Sequence, residues 1–477
     1  MDAATANPVR LTGVAALSAG LRFARDPLAA TRRIFAACGP FALLDRAVPL
    51  IRLKRTIMLG VPLVLTAGAA FNAEVLSDAD TWRGVSVLPG GPKNSAARRM
   101  SAGLPRLTGS PHAHYRKLIA QPLRRMGVEA LCADMARIAD AEIGSWRLGE
   151  TVELWDSIRL LMQRLSVELL FGGDNEQSRA LAETAGRMME QKWRPAAFAL
   201  PVNLPFTAYG RIAREAEDFE RRILQWAAGK RGRADASDLA SIIVNNPDAE
   251  GNPPDDATIV AHIASLFALS SEGSQSALVW TLILLAQHPR VAAALREEMH
   301  NKLGAKSPAL HKAGELAYLD AVVKESMRVL PPVPFQIRVA QRDAAIAGYA
   351  LPRGTRVLLN TFLTNRTADF RAEGDAFRPE RWSALAPNAF EFPVFSAGPH
   401  LCPGYWFGTA TVKIALAAIL MRCRLEIPPG TRIDYRAQPT LRPRQRVNVT
   451  LRRADGGKPP ATAPLAGKIR DLVSFAD

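Results

Sequence analysis

Cys402 has the surroundings in this chain best suited to chemistry. It lies in FSAGPHLCPG, residues 395–404, where Phe395 begins the segment and Gly398 and Gly404 remove side-chain bulk. His400 adds a donor two residues before the sulfur. Pro403 opens an apolar run, YWFGTATVKIALAAILM, that reads as a helix buried on all sides. Proline suits a first helical position because no backbone N–H is missed there. A thiolate at a helix N-terminus is stabilised by the positive end of the dipole and by unpaired amides. The glycines let backbone approach a flat ligand closely. Taken alone, a single cysteine is more often a small buried hydrophobe, so the rest of the chain must decide whether this sulfur holds a metal.

Other charged and polar residues recur at useful spacings. KESMRVLPPVP sets Glu325 and Arg328 three apart on one helix face, where they can pair. FRPERW supplies Arg381 further on. HAHYR sets His112 and Arg116 four apart, and Arg338 follows the PPVP turn. Each of these alone reads as a solvated surface charge. The apolar stretch beginning at Asp256 carries SSEGSQS at its centre, so Glu272 stands among serines where a membrane span would not place it.

The spacing Phe-x-x-Gly-x-x-x-Cys-x-Gly resembles the signature of the haem-thiolate monooxygenases, the cytochromes P450. The resemblance runs in the family's order from the strand near 61 to about residue 453. It implies the cytochrome P450 fold, mostly α with a small β-rich part. It also implies a haem b (iron protoporphyrin IX) whose iron takes the Cys402 sulfur as axial ligand. On the same resemblance, Phe395, Gly398 and Gly404 shape the ligand loop, while His112, Arg116, Arg338 and His400 bind the two haem propionates. Glu325, Arg328 and Arg381 correspond to the family's structural Glu–Arg–Arg triad. His114 has no counterpart there and is expected to be exposed.

One stretch departs from the family. Leu269-Ser270-Ser271-Glu272-Gly273-Ser274 aligns with a run resembling Ala-Gly-x-Glu/Asp-Thr-Thr. The acid is kept as Glu272, Ser270 stands at the usual glycine, and Gly273 stands where a threonine hydroxyl normally assists dioxygen activation. Ser274, ordered water or a hydroxyl on the substrate must then serve. The implied function is a monooxygenase that uses dioxygen and two externally supplied electrons to hydroxylate or otherwise oxidise an apolar small molecule (lipid, terpenoid, steroid or aromatic). Gly273 keeps a peroxygenase or peroxide-rearranging enzyme open as the alternative. A non-catalytic haem-binding protein is more remote, since the sequence shows no output domain.

These residues need elements to position them. VPLVLT at 61–66 reads as a strand, residues 83–111 as a long loop, and HAHYRKLIAQPLRRM as a helix. The pattern from Asp256 reads as one helix of roughly 50 Å. Short strands follow between 333 and 362. The expected division is an N-terminal segment over 1–60, one domain over 61–453 and a tail over 454–477. Candidate pocket segments are 83–90, 196–206, Phe267 to Gly273 and Val333 to Phe335.

Composition bounds the rest. The 477 residues, 48% hydrophobic, are enough for a large core. Four cysteines without a CxxC pair exclude zinc-finger and ferredoxin spacings and favour a reducing compartment. The net charge of +16 is dispersed, with no groove-reading motif, which argues against nucleic acid. The N-terminus has no stretch long enough to span a bilayer, although it can form a basic amphipathic helix that touches lipid. The expectation is a soluble cytoplasmic enzyme without a transmembrane segment. No redox module is fused to the chain, so a separate acidic ferredoxin or flavodoxin, with its reductase, is expected to dock near Lys117, Arg124, Arg125 and Lys413.

Overall fold

A six-stranded sheet gathers strands from distant parts of the chain. They are β1 (Val9–Leu11), β2 (Phe41–Leu44), β3 (Leu63–Thr66), β4 (Trp82–Gly84), β5 (Phe335–Ala340) and β6 (Arg356–Asn360). Their spatial order is β1-β2-β3-β6-β5-β4. The computed structural model describes residues 8–44, 63–173, 175–192, 203–204, 206–232, 238–304, 309–367, 370, 372–437, 439–454 and 464–475. β2 and β3 are antiparallel with Leu43 opposite Val64, and β3 runs parallel to β6 with Leu65 opposite Leu358. Strands β2 and β3 are buried along their whole length, as the apolar run FALL and the nearly apolar LVLT require. Helices α1 (Gly13–Arg25) and α2 (Pro27–Cys38) pack beside this sheet, with Phe23 lying 5.7 Å from Phe335. Asp26 caps α2 through the Ala29 amide, 3.2 Å away.

The expected boundaries at 61 and 454 do not follow the packing. Strands β1 and β2 belong to the first 60 residues yet form one side of the main sheet. At the other end Leu465, Ile469, Leu472 and Val473 are buried, and Ala466 bridges Arg432. Both flanks carry apolar residues that would stay wet in a tail, and burying them is favourable.

The helices that matter for the site are α3 (Gly109–Ala120), α4 (Asp256–Leu269), α5 (Glu272–Gln287), α6 (Ala317–Val329) and α7 (Tyr405–Arg422). The single helix expected from Asp256 is interrupted at Ser270–Ser271, where Ser271 takes φ −120° and ψ −34°. Serine side chains compete for backbone hydrogen bonds, and here the Ser270 carbonyl accepts from the Ser166 hydroxyl at 3.1 Å. Apolar residues on both sides of the break hide it from a reading of periodicity. Among the described residues no single helix is long and apolar enough to cross a membrane.

Residues 83–111 are more ordered than a loop. They contain the end of β4, a short helix at Ala96–Met100, a 3₁₀ turn at Leu104–Arg106 and the start of α3. Helix α7 begins at Tyr405, not Pro403, and most of it is buried in the core. Lys413, expected at a docking surface, is buried and ion-paired with Asp320 of α6 at 2.5 Å. A hairpin of β7 (Tyr435–Ala437) and β8 (Leu441–Pro443) hangs from α5: the Leu441 carbonyl accepts from Ser276 Oγ at 2.5 Å and Trp280 Nε1 at 2.8 Å.

Candidate functional site

The loop before α7 fixes the sulfur. The Cys402 amide donates to the Phe395 carbonyl at 2.7 Å, which folds 395–402 back on itself. Phe395 lies edge-on to Tyr405, with ring centres 4.8 Å apart. Gly398 has φ +56°, and a Cβ there would meet the Leu76 carbonyl oxygen at 2.6 Å, so no larger residue fits. Burial pushes the Cys402 thiol above its ordinary value, while the Gly404 amide and the charge of Arg116 pull it down. A metal at the sulfur would displace that proton outright.

A cavity of 480 Å³ opens on Cys402 and Gly404. His112, Arg116, Arg338 and His400 line it, as do Ser270, Glu272, Gly273 and Ser274 from the α4–α5 break. The structure thus brings the expected ligand, propionate and distal positions onto one cavity. Its remaining wall is mainly apolar, including Val85, Leu104, Leu266 and Val333. Of the expected pocket segments, 84–87, 268–270, 272–273 and 333 with 335 reach the cavity, whereas Phe267 stacks on Phe171 at 4.0 Å. Most of 196–206 lies outside the described residues.

Electrostatics at this cavity are one-sided. Arg338 is nearly buried on β5 and bonds only neutral groups: the Ile337 carbonyl at 3.1 Å, Gln336 Oε1 at 3.3 Å and Ser396 Oγ at 3.2 Å. Its Nε has no partner. Burial pushes Arg338 down to about 10 and lowers Arg116 as well. His112 and His400 have ring centres 5.8 Å apart, and His400 Nε2 lies 2.9 Å from the Trp82 carbonyl. Burial, with Arg338 next, pushes His400 down to about 3. Burial disfavours the charged form of His112 in the same way.

A buried guanidinium and a half-buried one, neither with a carboxylate partner, are costly. A flat ligand with two carboxylates supplies what Arg116 and Arg338 lack, and Cys402 supplies the sulfur beneath it. The residues present therefore fit a haem.

The α4–α5 break presents its own chemistry. Glu272 Oε1 accepts from Thr440 Oγ1 at 2.6 Å, and Glu272 is the only carboxylate residue lining the cavity among the described residues. A Cβ at Gly273 would meet nothing within 4 Å, so the missing side chain leaves open space. Ser274 Oγ stands 3.3 Å from where a Gly408 Cβ would be, which ties this turn to α7. Sequence reasoning missed Thr440, 168 residues away from Glu272 and held on the β7–β8 hairpin. It also missed His262, a lone histidine in an apolar run that lines the cavity and stacks on Tyr115 at 4.0 Å. His114 is partly exposed and reaches the Pro247 carbonyl at 2.9 Å.

Glu325, Arg328 and Arg381 meet away from the cavity. Arg328 is fully buried and grips Glu325 through two bonds of 2.9 Å. It also donates to the carbonyls of Asn365, Gly374 and Ala376. Arg381 Nε reaches Glu325 Oε1 at 3.0 Å, and Trp382 Nε1 reaches Oε2 at 2.9 Å. Every atom of the carboxylate is engaged, which is what a buried ion pair needs to persist.

Comparison with known proteins agrees with this geometry. A family model described as Cytochrome P450 matches residues 89–451. Cyclooctat-9-en-7-ol 5-monooxygenase of Streptomyces melanosporofaciens is 27% identical over 352 residues, covering 72% of this chain and 76% of the relative. Cyclooctatin synthase of the same organism is 28% identical, covering 74% and 79%. Among solved structures, retinoic acid-bound cyanobacterial CYP120A1 aligns with a TM-score of 0.76 at 20% identity, covering 91% of this chain and 96% of that one. CYP175A1 from Thermus thermophillus aligns at 0.69 with 25% identity, covering 93% and 100%. With the ligand loop, the cavity and these matches in place, the chain belongs to the cytochrome P450 family and is a haem-thiolate monooxygenase.

Proposed function

We propose that this enzyme holds haem b on Cys402 and oxidises an isoprenoid-type apolar molecule with dioxygen and two electrons from a separate carrier. The observation that carries the reading is the cavity shared by Cys402, the two acid-free arginines and the α4–α5 break. Arg116 and Arg338 would bind the propionates, with His112 and His400 as further hydrogen-bonding partners. When bound, the haem supplies oxygen activation that amino-acid side chains cannot. The chain's own part is to fix the sulfur, exclude bulk water and hold an acid, Glu272, where protons are needed. The isoprenoid class is the terpenoid one among the apolar classes that the wall favours, and it suits a relative named cyclooctat-9-en-7-ol 5-monooxygenase.

The electron carrier would dock on Lys117, Arg124 and Arg125, which are exposed beside exposed Met126 and Trp406. Arg125 also stacks over Trp406 at 5.8 Å. The four cysteines are unpaired, which suits a reducing cytoplasm. The test is turnover of a diterpene alcohol panel by purified holoenzyme with a ferredoxin system. Product carrying label from dioxygen supports the reading. Product that forms only with added peroxide overturns it in favour of the peroxygenase alternative, which the open space at Gly273 favours.

A further inference from the structure

Strand β4 and the segment after it carry a group of arginines that neither the sulfur nor the propionates explain. Arg83 of β4 stands opposite Val339 of β5, and Val339 stands opposite Arg356 of β6. These three residues form one cross-strand row and so share one face of the sheet. Arg338, one residue along, points to the other face, so the row is separate from it. The next row on the same face contains Ile337 and Leu358, which pair with each other and both line the cavity. Two residues along a strand is about 7 Å. Arg83 is followed directly by cavity-lining Gly84 and Val85, and Arg106 directly follows cavity-lining Leu104 and Pro105.

Among the described residues no carboxylate pairs with Arg83, Arg98 or Arg106. Arg83 donates only to the Gly84 carbonyl at 3.3 Å, and Arg106 donates only to the Ser101 carbonyl and hydroxyl, the latter at 3.0 Å. Arg83 and Arg106 are both half-buried. Burial pushes Arg106 down to about 10, and the neighbouring charges of Arg83 and Arg98 add to this. Arg83 is lowered by burial and then by Arg98 and Arg356. Arg98 beside them is exposed, and like charges gathered around two half-buried guanidiniums oppose folding. An anion bound among them would reverse that cost.

We infer that Arg83, Arg98 and Arg106 bind a carboxylate at one end of the substrate, whose apolar body lies in the cavity leading to Cys402. This rests on the monooxygenase reading and narrows it: the substrate is an amphipathic acid, not a neutral hydrocarbon. Glu272 is the only acid lining the same cavity among the described residues, so charge directs the carboxylate to the arginine end.

The test is calorimetric titration of the holoenzyme with acid and alcohol pairs on matched straight-chain, acyclic isoprenoid and tricyclic diterpene skeletons. At least one acid should bind about tenfold or more tightly than its alcohol, as charge-assisted hydrogen bonds allow. Arg83→Ala/Arg106→Ala should erase that difference without weakening the alcohol, and Arg83→Lys/Arg106→Lys should restore part of it. The double alanine variant should melt no lower than the parent, because it relieves repulsion. Equal affinities across every pair would overturn the inference, as would a variant that weakens acid and alcohol alike. Loss of binding to phosphatidylglycerol vesicles with the acid preference intact would also overturn it and assign the arginines to a lipid surface. The reduced, carbon monoxide-treated spectrum of the same sample reports the haem reading independently, because calorimetry does not depend on it.

Discussion

The cysteine side of the site and the α4–α5 wall are built on different principles. Around Cys402, partners are close in sequence: Phe395 holds its amide, Gly398 makes the turn and Gly404 hydrogen-bonds the sulfur. Behind it, Glu325 and Arg328 sit three residues apart on α6. The wall is assembled from remote pieces: Ser166 on the Ser270 carbonyl, Thr440 on Glu272, and a hairpin suspended from Ser276 and Trp280. The first region is specified largely by local offsets, with Gly398 against Leu76 and His400 on Trp82 as its remote contacts, and leaves little freedom. The second is specified by packing, and there the chain can differ from its relatives without losing the fold.

That contrast can be broken or sharpened by substitution. The largest effect belongs to Cys402→Ser, expected to abolish turnover and the thiolate-specific spectrum while the far-ultraviolet circular dichroism stays native. Retained thiolate spectrum would place the ligand elsewhere. Arg328→Ala should come next, costing about 3–5 kcal/mol because it strands a buried carboxylate. Chemical denaturation reads that loss, and a change under about 1 kcal/mol, the scale of an ordinary surface ion pair, would show the network to be dispensable.

Acid should act through the wall. Burial pushes His262 down to about 4, with His114 adding a smaller effect and Tyr115 stacked on the ring. The unfolded chain takes up this proton from about pH 6.5 downward, the folded chain only near pH 4, so stability present above 6.5 is lost as pH falls between them. The loss is on the order of 3 kcal/mol. His262→Gln should flatten stability over that interval, and an unchanged slope would assign the acid sensitivity to another group.

Thr440→Val should lower product formed per reductant consumed by about tenfold, the worth of one hydrogen bond to a charged group. Thr440→Ser should restore it, and the spectrum should not change. If coupling is unaffected, Glu272 does not depend on the hairpin. The smallest effect is expected on the cysteine side's outer surface. Arg124→Glu/Arg125→Glu should slow reduction a few-fold at low salt and much less at high salt. A salt-independent rate would move the docking face elsewhere.

The sequence made the cysteine side legible because its determinants are short-range: residue types at fixed offsets on a turn and a helix face. The helix break was not legible, since apolar residues continue on both sides of Ser270–Ser271 and periodicity does not register a change at two serines. Nor was Thr440, because nothing local says which helix a distant hairpin will touch. The burial of Lys413 is legible in the sequence. A lysine inside a run buried on all sides must itself be buried and paired, as its bond to Asp320 shows. The flanks were undervalued because short strands carry little signal until their partners are known.

The parallel pairing of Leu63–Thr66 with Arg356–Leu359 also bears on how the chain is made. Strand β3 leaves the ribosome about 290 residues before β6, which at ordinary synthesis rates is a wait of roughly 15–60 s. Throughout that interval one edge of β3 keeps its backbone N–H and C=O groups unpaired, on a strand whose first three side chains are apolar. A nascent chain stalled short of residue 356 therefore presents an aggregation-prone edge, one that only the completed chain can cover.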